Sequence, residues 1–185
     1  MKLRTFRLWE RVLVLTLTAG FSTFTAHAEE IVERDVMIPM RDGVKLATDV
    51  YVPDSKGSFP VILMRTPYGR GGDEGRRGDG YRLMERGYAC VIQSCRGRRN
   101  SEGDWEPFVN ERDDGLDTHA WILKQPWCNG KIGTTGGSYG GITAWSVAAD
   151  TGPSHKVILA NNPLMDGYHD LANIGGAFGL GTLMT

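Results

Sequence analysis

The five residues Gly136-Gly137-Ser138-Tyr139-Gly140 constrain this chain more than any other stretch. They follow a short apolar-leaning segment, Lys131 to Thr135, and precede a helix-like run, Ile142 to Ala149. A G-x-S-x-G pattern between a strand and a helix reads as a sharp turn that pushes the serine hydroxyl out of the backbone path, toward a cleft. Such a turn is tight, so its flanks need residues without a Cβ. The helix that follows points its unpaired N–H groups, and the positive end of its dipole, at the same place. That place favours negative charge on an oxygen, and Ser138 is the first candidate nucleophile. Glycine makes up 25 of 185 residues, so the pattern alone is weak. Its position late in an alternation of strands and helices gives it weight.

That alternation is legible along the chain. Val36 to Met40 and Val44 to Val52 read as strands joined by a turn at Asp42-Gly43, with Val44, Leu46, Thr48, Val50 and Val52 alternating with Lys45, Ala47, Asp49 and Tyr51. Val61 to Met64, Ala89 to Ile92 and Val157 to Ala160 are unbroken apolar runs, as expected of strands buried on both faces in a parallel sheet. Helices are expected at Tyr81 to Arg86, at Asp113 to Lys124 with Leu116, Ala120 and Leu123 on one face, and at Ile142 to Ala149. Gly69 to Gly80 reads as a mobile surface loop, and the glycines from Gly175 to Gly181 as an unfinished connection. The order is an antiparallel lead-in followed by a doubly wound α/β pattern.

Residues 1–28 read as a secretory signal peptide. Lys2, Arg4, Arg7 and Arg11 precede a short apolar core, and Ala26-His27-Ala28 is an A-x-A cleavage signal. The core is too short to span a bilayer, which takes about 20 apolar residues. The expected product begins near Glu29, carries no stable membrane anchor and is secreted or periplasmic. Four of the 21 basic and one of the 22 acidic residues lie in 1–28, so the remainder has 17 and 21, a net charge of −4. That balance argues against a nucleic-acid partner. The run Arg96, Arg98, Arg99 is then a loop with ion pairs. Cys90, Cys95 and Cys128 are odd in number, and Cys90 and Cys95 fall at the two ends of one strand, too far apart to bond. No C-x-x-C or Cys/His cluster points to a metal, and no cofactor is expected.

Several separate motifs occur in order: Met40-Arg41-Asp42-Gly43-Val44-Lys45-Leu46, Arg65-Thr66-Pro67-Tyr68, Arg86-Gly87-Tyr88-Ala89, Arg96-Gly97, Ser101-Glu102-Gly103, Trp121-Ile122, Trp127-Cys128-Asn129-Gly130-Lys131-Ile132-Gly133 and Gly137-Ser138-Tyr139. In these the chain resembles the N-terminal part of the X-Pro dipeptidyl-peptidase and cocaine-esterase-type (CocE/NonD) hydrolases, with the α-amino-acid ester hydrolases as near relatives. The resemblance runs from about residue 31 to 168. It implies an α/β-hydrolase fold whose mostly parallel sheet has antiparallel N-terminal strands. It also implies an incomplete catalytic domain over 29–185, truncated before the late strands and the cap. By position, Ser138 matches the acyl-accepting nucleophile. Tyr139 matches the residue whose backbone N–H helps form the oxyanion hole, and Tyr68 matches the tyrosine whose hydroxyl is the other donor. The implied reaction is cleavage of a small ester, amide or short peptide through an acyl-enzyme on Ser138. The rival is a truncated or degenerate domain that only binds small acyl compounds.

The remaining candidates are weaker. His119 reads as a helix-surface or satisfied histidine and His155 as part of an exposed turn. Asp166 and His169 lie downstream of Ser138 but are too close in sequence to fill the fold's two late positions, so this reading leaves the chain without a triad acid and histidine, and slow at best on activated esters. Trp105 and Phe108 could line a pocket, whereas Trp145 reads as core. Ser94 stands where family members often carry Asp, which leaves the ion pairing of Arg96 open. Gly140 and Gly141 follow Tyr139, so an acidic residue near the elbow that would hold a substrate amine is not supported.

Overall fold

The computed structural model describes residues 29–71, 78–164, 166–173 and 175. Residues 1–28, expected to be a signal peptide, the middle of the Gly69–Gly80 loop and nearly all of the glycine-rich stretch beyond residue 173 therefore lie outside the described residues. Strand β1 (Ile31–Pro39) and β2 (Lys45–Val52) lead into β3 (Phe59–Thr66), α1 (Asp79–Met84), β4 (Ala89–Ser94), α2 (Glu111–Leu123), β5 (Cys128–Gly137), α3 (Tyr139–Trp145) and β6 (His155–Asn161). The six strands form one sheet in the order β1-β2-β4-β3-β5-β6. β1, β2 and β4 pair antiparallel, and β4, β3, β5 and β6 pair parallel. The expected antiparallel lead-in to a mostly parallel sheet is the observed fold.

The β1–β2 connection turns where Asp42-Gly43 places it. Gly43 sits at φ +89°, and its N–H donates to the Met40 carbonyl at 2.9 Å. α1 covers one face of the sheet, with Met84 among Tyr51, Cys90 and Ile92. The main core lies on the other face, where Ile122 of α2 meets Val50, Val61, Leu63, Val91 and Ile132. Because β2 is covered on both faces, its alternation does not divide inside from outside. Every residue from Leu46 to Val52 is buried. Asp49 is tolerated there because Arg34 (2.7 Å) and Arg70 (3.0 Å) neutralise its carboxylate.

Three expectations are corrected. The buried face of α2 is Glu111, Asp114, Gly115, Thr118, His119 and Ile122, whereas Ala120 and Leu123 are exposed and Leu116 is half-buried. The helix turns a polar side inward because a buried arginine on β3 requires partners there. β6 is apolar but not buried on both faces: among the described residues it lies at the edge of the sheet, and Val157 and Leu159 are 56% and 67% exposed. Trp145 is exposed rather than core, because α3 ends at that residue.

The histidines also differ from expectation. His155 begins β6 half-buried, bonded to Thr134 Oγ1 at 3.0 Å and Thr151 Oγ1 at 2.8 Å. His119 is neither on the surface nor fully satisfied. It is buried, its ring lies 5.9 Å from that of His155, and its Nε2 has no hydrogen-bond partner among the described residues. Desolvation, with the second histidine beside it, pushes its pKa from 6.5 down to about 4. The unfolded chain therefore takes up a proton that the folded chain refuses as pH falls from 6.5 toward 4. We expect stability to drop through that window in urea titrations, and His119→Gln to flatten the drop. An unchanged pH slope in the variant would show that His119 is not its source.

Candidate active site

The site forms where the winding of the sheet reverses. After β3 the chain passes through α1 to β4 on one side, and from β4 it crosses over β3 to β5 on the other. The connections leaving β3 and β5 diverge to opposite faces, which opens a crevice at the C-terminal ends of these adjacent strands. Tyr68 follows the end of β3, and Ser138 follows β5 directly. A cavity of about 280 Å³ opens there, lined in part by Thr66, Tyr68, Arg70, Gly136, Gly137 and Gly140.

Ser138 adopts φ +54°, ψ −122°, a left-handed conformation that a serine keeps only where its surroundings impose it. They do so through three hydrogen bonds. Its N–H donates to the Asn161 carbonyl at 2.9 Å, and its carbonyl accepts from Gly141 at 2.9 Å and Ile142 at 3.3 Å. Of the glycines expected on the flanks, contact requires Gly136, whereas a Cβ on Gly137 or Gly140 would meet nothing nearer than 4.0 Å and 3.4 Å. A Cβ on Gly136 would lie 2.3 Å from the Gly140 carbonyl oxygen, and one on Gly141 would lie 3.2 Å from the Asn161 oxygen.

The structure brings Ser138 and Tyr68 together. Their hydroxyl oxygens are 3.2 Å apart, and both side chains are exposed to the crevice. The backbone under Tyr68 is fixed locally. Its N–H donates to Thr66 Oγ1 at 3.1 Å, and its carbonyl accepts from Arg99 Nε at 3.0 Å. Arg98 likewise donates to the Pro67 carbonyl at 3.3 Å. Of the three arginines expected to make ion pairs, only Arg96 does so among the described residues, with Asp42 (2.6 Å) and Asp114 (2.6 Å). The other two shape the Tyr68 loop through its carbonyls. Arg96 thus keeps its pairing with Ser94 in the place of an acid, and Ser94 Oγ instead accepts from Arg70 Nη1 at 2.6 Å.

Tyr139, immediately after the serine, is the first residue of α3, so its N–H has no carbonyl one turn back to bond. Its side chain is the part that sequence reasoning missed. The phenol donates to Glu111 Oε1 at 2.9 Å and accepts the Phe108 N–H at 2.8 Å. Trp105 and Phe108 do not line an empty pocket; their rings flank that of Tyr139, each with its centroid 5.1 Å away. Burial, with the Glu111 carboxylate beside it, raises the phenol pKa well above its usual value and keeps the proton on the oxygen.

Behind both tyrosines lies Arg65, 3% exposed at the end of β3. Its guanidinium donates to Gln93 Oε1 at 2.9 Å and to the Glu111 carbonyl at 2.5 Å, and lies 3.2 Å from Glu111 Oε2 and 3.7 Å from Asp114 Oδ2. Its own carbonyl accepts from Thr143 Oγ1 of α3 at 2.8 Å.

The remaining candidates lie apart from this cluster. Asp166 and His169 do bond each other, at 2.7 Å, on an exposed turn. That bond raises the His169 pKa and lowers that of Asp166 to about 2. Among the described residues, no histidine hydrogen-bonds Ser138, and no group of three His, Cys, Asp or Glu side chains is placed to hold a metal. Cys90, Cys95 and Cys128 are free thiols.

A six-stranded α/β sheet with a serine elbow at its switch point defines an α/β-hydrolase. Residues 42–184 match the model of the X-Pro dipeptidyl-peptidase (S15) family, and the chain belongs to that family. It is 41% identical over 140 residues to the cocaine esterase of Rhodococcus sp. (strain MB1 Bresler), covering 74% of this chain and 24% of that protein. The solved structure of an α-amino acid ester hydrolase superposes with a TM-score of 0.67 at 31% identity, over 86% of this chain and 30% of the other. A CocE/NonD family hydrolase from Staphylococcus aureus superposes with a TM-score of 0.70 at 29% identity, over 78% and 30%. The chain thus spans about a quarter of the length of the curated relatives it matches.

The elbow carries a direct test of the packing argument. Gly136→Ala places a methyl group inside the Gly140 backbone, so the strand or the helix must move. We expect a loss of about 1–3 kcal/mol in urea unfolding. A variant as stable as the parent would show that the contact relaxes freely.

Proposed function

We propose that this chain carries the nucleophile and both oxyanion donors of a serine hydrolase that cleaves small esters, amides or short peptides through an acyl-enzyme on Ser138. The observation that carries the proposal is the 3.2 Å contact between Ser138 Oγ and Tyr68 Oη at the switch point of the sheet. When Ser138 Oγ attacks a carbonyl, charge develops on the carbonyl oxygen within reach of the Tyr68 hydroxyl and the Tyr139 N–H. Two preoriented donors stabilise that charge without reorganising, which is the largest single contribution in acyl transfer. Collapse of the intermediate expels the alcohol or amine, and water then releases the acyl group from Ser138. Among the described residues none stands at Ser138 Oγ as the general base for these steps. That observation favours a second reading, a domain that binds acyl compounds without turning them over. The cocaine esterase and α-amino acid ester hydrolase relatives support the ester arm of the substrate class.

The two readings part on Ser138 chemistry. We expect a fluorophosphonate to form an adduct on Ser138, located by peptide mass spectrometry, and p-nitrophenyl acetate to be hydrolysed slowly. Ser138→Ala should abolish both, and Tyr68→Phe should slow both by about 10²–10³-fold, the usual effect of removing one oxyanion donor. Failure of the parent chain to form the Ser138 adduct would favour the binding-only reading. Hydrolysis that survives Ser138→Ala would place the chemistry elsewhere.

We also propose that residues 1–28 direct export to the periplasm or medium and are then removed, on the strength of the basic n-region and Ala26-His27-Ala28. N-terminal sequencing of the exported protein should begin at Glu29. Recovery of exported protein still beginning at Met1 would contradict this.

A further inference from the structure

We infer that Glu111 is a positioning residue for the elbow: from the first turn of α2 it grips the Tyr139 phenol, and through it the backbone N–H that follows Ser138. The inference rests on the reading of Ser138 as nucleophile and of the Tyr139 N–H as oxyanion donor. Its basis is geometric. α3 has seven residues, too few to hold its own first turn rigid without tertiary contacts. An oxyanion donor has to be held to within roughly 0.5 Å. The phenol of Tyr139 supplies the anchor. It donates to Glu111 Oε1 at 2.9 Å, accepts from Phe108 N at 2.8 Å, and its ring is flanked by Trp105 and Phe108. Phe108 holds φ +71°, a strained conformation for an aromatic residue, while its N–H reaches the phenol.

The carboxylate of Glu111 is divided between two tasks. Its Oε2 lies 3.2 Å from Arg65 Nη2, and its Oε1 accepts from Tyr139. Asp114 is engaged mainly by Arg96, so Glu111 is the acid nearest to Arg65. Facing Arg65 occupies only Oε2, and the contact of Oε1 with the Tyr139 phenol is additional to charge neutralisation. The same Arg65 receives Thr143 Oγ1 on its carbonyl, so α3 is fixed to one hub at its first residue and again one turn on. The exposed Tyr68–Ser138 pair is thereby referred to a buried frame.

Two substitutions separate positioning from folding. Tyr139→Phe removes the phenol oxygen and leaves the Glu111–Arg65 pair in place. Glu111→Gln keeps an amide oxygen that can still accept from the phenol but removes the charge facing Arg65. Each is compared with the parent chain by the rate of fluorophosphonate labelling at Ser138 across probe concentration, which splits the limiting rate from half-saturation, and by thermal melting. We expect Tyr139→Phe to lower the limiting rate about tenfold, the loss of one hydrogen bond to a charged acceptor, with half-saturation near the parent value and a melting midpoint lowered less than in Glu111→Gln. We expect Glu111→Gln to melt lower yet retain most of the limiting rate. Tyr139→Phe labelling at the parent rate, or rate losses that merely follow the melting midpoints, would overturn the positioning role. Absence of Ser138 labelling in the parent chain is a different result, and overturns the nucleophile reading on which the inference stands.

Discussion

A buried guanidinium organises this protein. Arg65 ends the central strand β3 among groups from β4, α2 and α3, and each element reaches it with a polar atom. Removing one partner from such a network leaves an uncompensated charge and costs about 3–5 kcal/mol. A buried arginine therefore dictates the chemistry of what covers it. Glu111 and Asp114 must face inward, Thr118 must bridge to Gln93 Oε1 at 2.9 Å, and Gly115 must lack a side chain, because a Cβ there would lie 2.4 Å from Val147 Cγ1 and 3.1 Å from Arg65 Nη1. α2 docks by polar matching where an ordinary surface helix would present an apolar stripe.

This explains what could and could not be read from the residues. Strands β3 and β4 were legible because Val61–Met64 and Ala89–Ile92 are unbroken apolar runs, and the elbow because its serine stands in a glycine-rich turn in which Gly136 has no room for a side chain. The face of α2 was not. Leu116, Ala120 and Leu123 offered a stripe, and the acids of the first turn looked like complements to the helix dipole. Nothing local to that helix reveals that two of those acids face a cation located 46 and 49 positions earlier. β6 failed for a related reason. An apolar run tells that a strand is compatible with burial, whereas coverage depends on what packs against it.

The site divides along the same line. Ser138, Tyr68 and the Tyr139 backbone were named from motifs, and the structure draws the two hydroxyls to 3.2 Å. The Tyr139 side chain was not read, because its partners, Phe108 and Glu111, come from a loop and a helix start that carry no motif of their own. The only local signal was the aromatic pair Trp105 and Phe108, which read as a pocket wall and instead clasps the tyrosine.

The two tyrosines are held by different physics, which follows from where each sits. Tyr139 is half-buried, so ring packing and two hydrogen bonds, one of them to the buried Glu111 carboxylate, suffice to fix it. Tyr68 is 57% exposed, and among the described residues its phenol has only Ser138 as a partner. Its position must come from the backbone beneath it. Arg99 holds its carbonyl, and two residues on Arg70 ties the loop to Asp49, which is 3% exposed in the middle of β2. Arg70 also meets Asp35 at the bulge of β1, where the chain takes φ +53°. The irregularity in the first strand thus turns an acid toward the arginine that braces the loop of the oxyanion donor. The antiparallel lead-in contributes to the site although none of its residues touches the crevice. It supplies the negative charge that anchors an arginine-rich loop, as α2 supplies the negative charge that anchors Arg65. Each donor is backed by a buried acid paired with an arginine, reached through the phenol at Tyr139 and through the loop backbone at Tyr68.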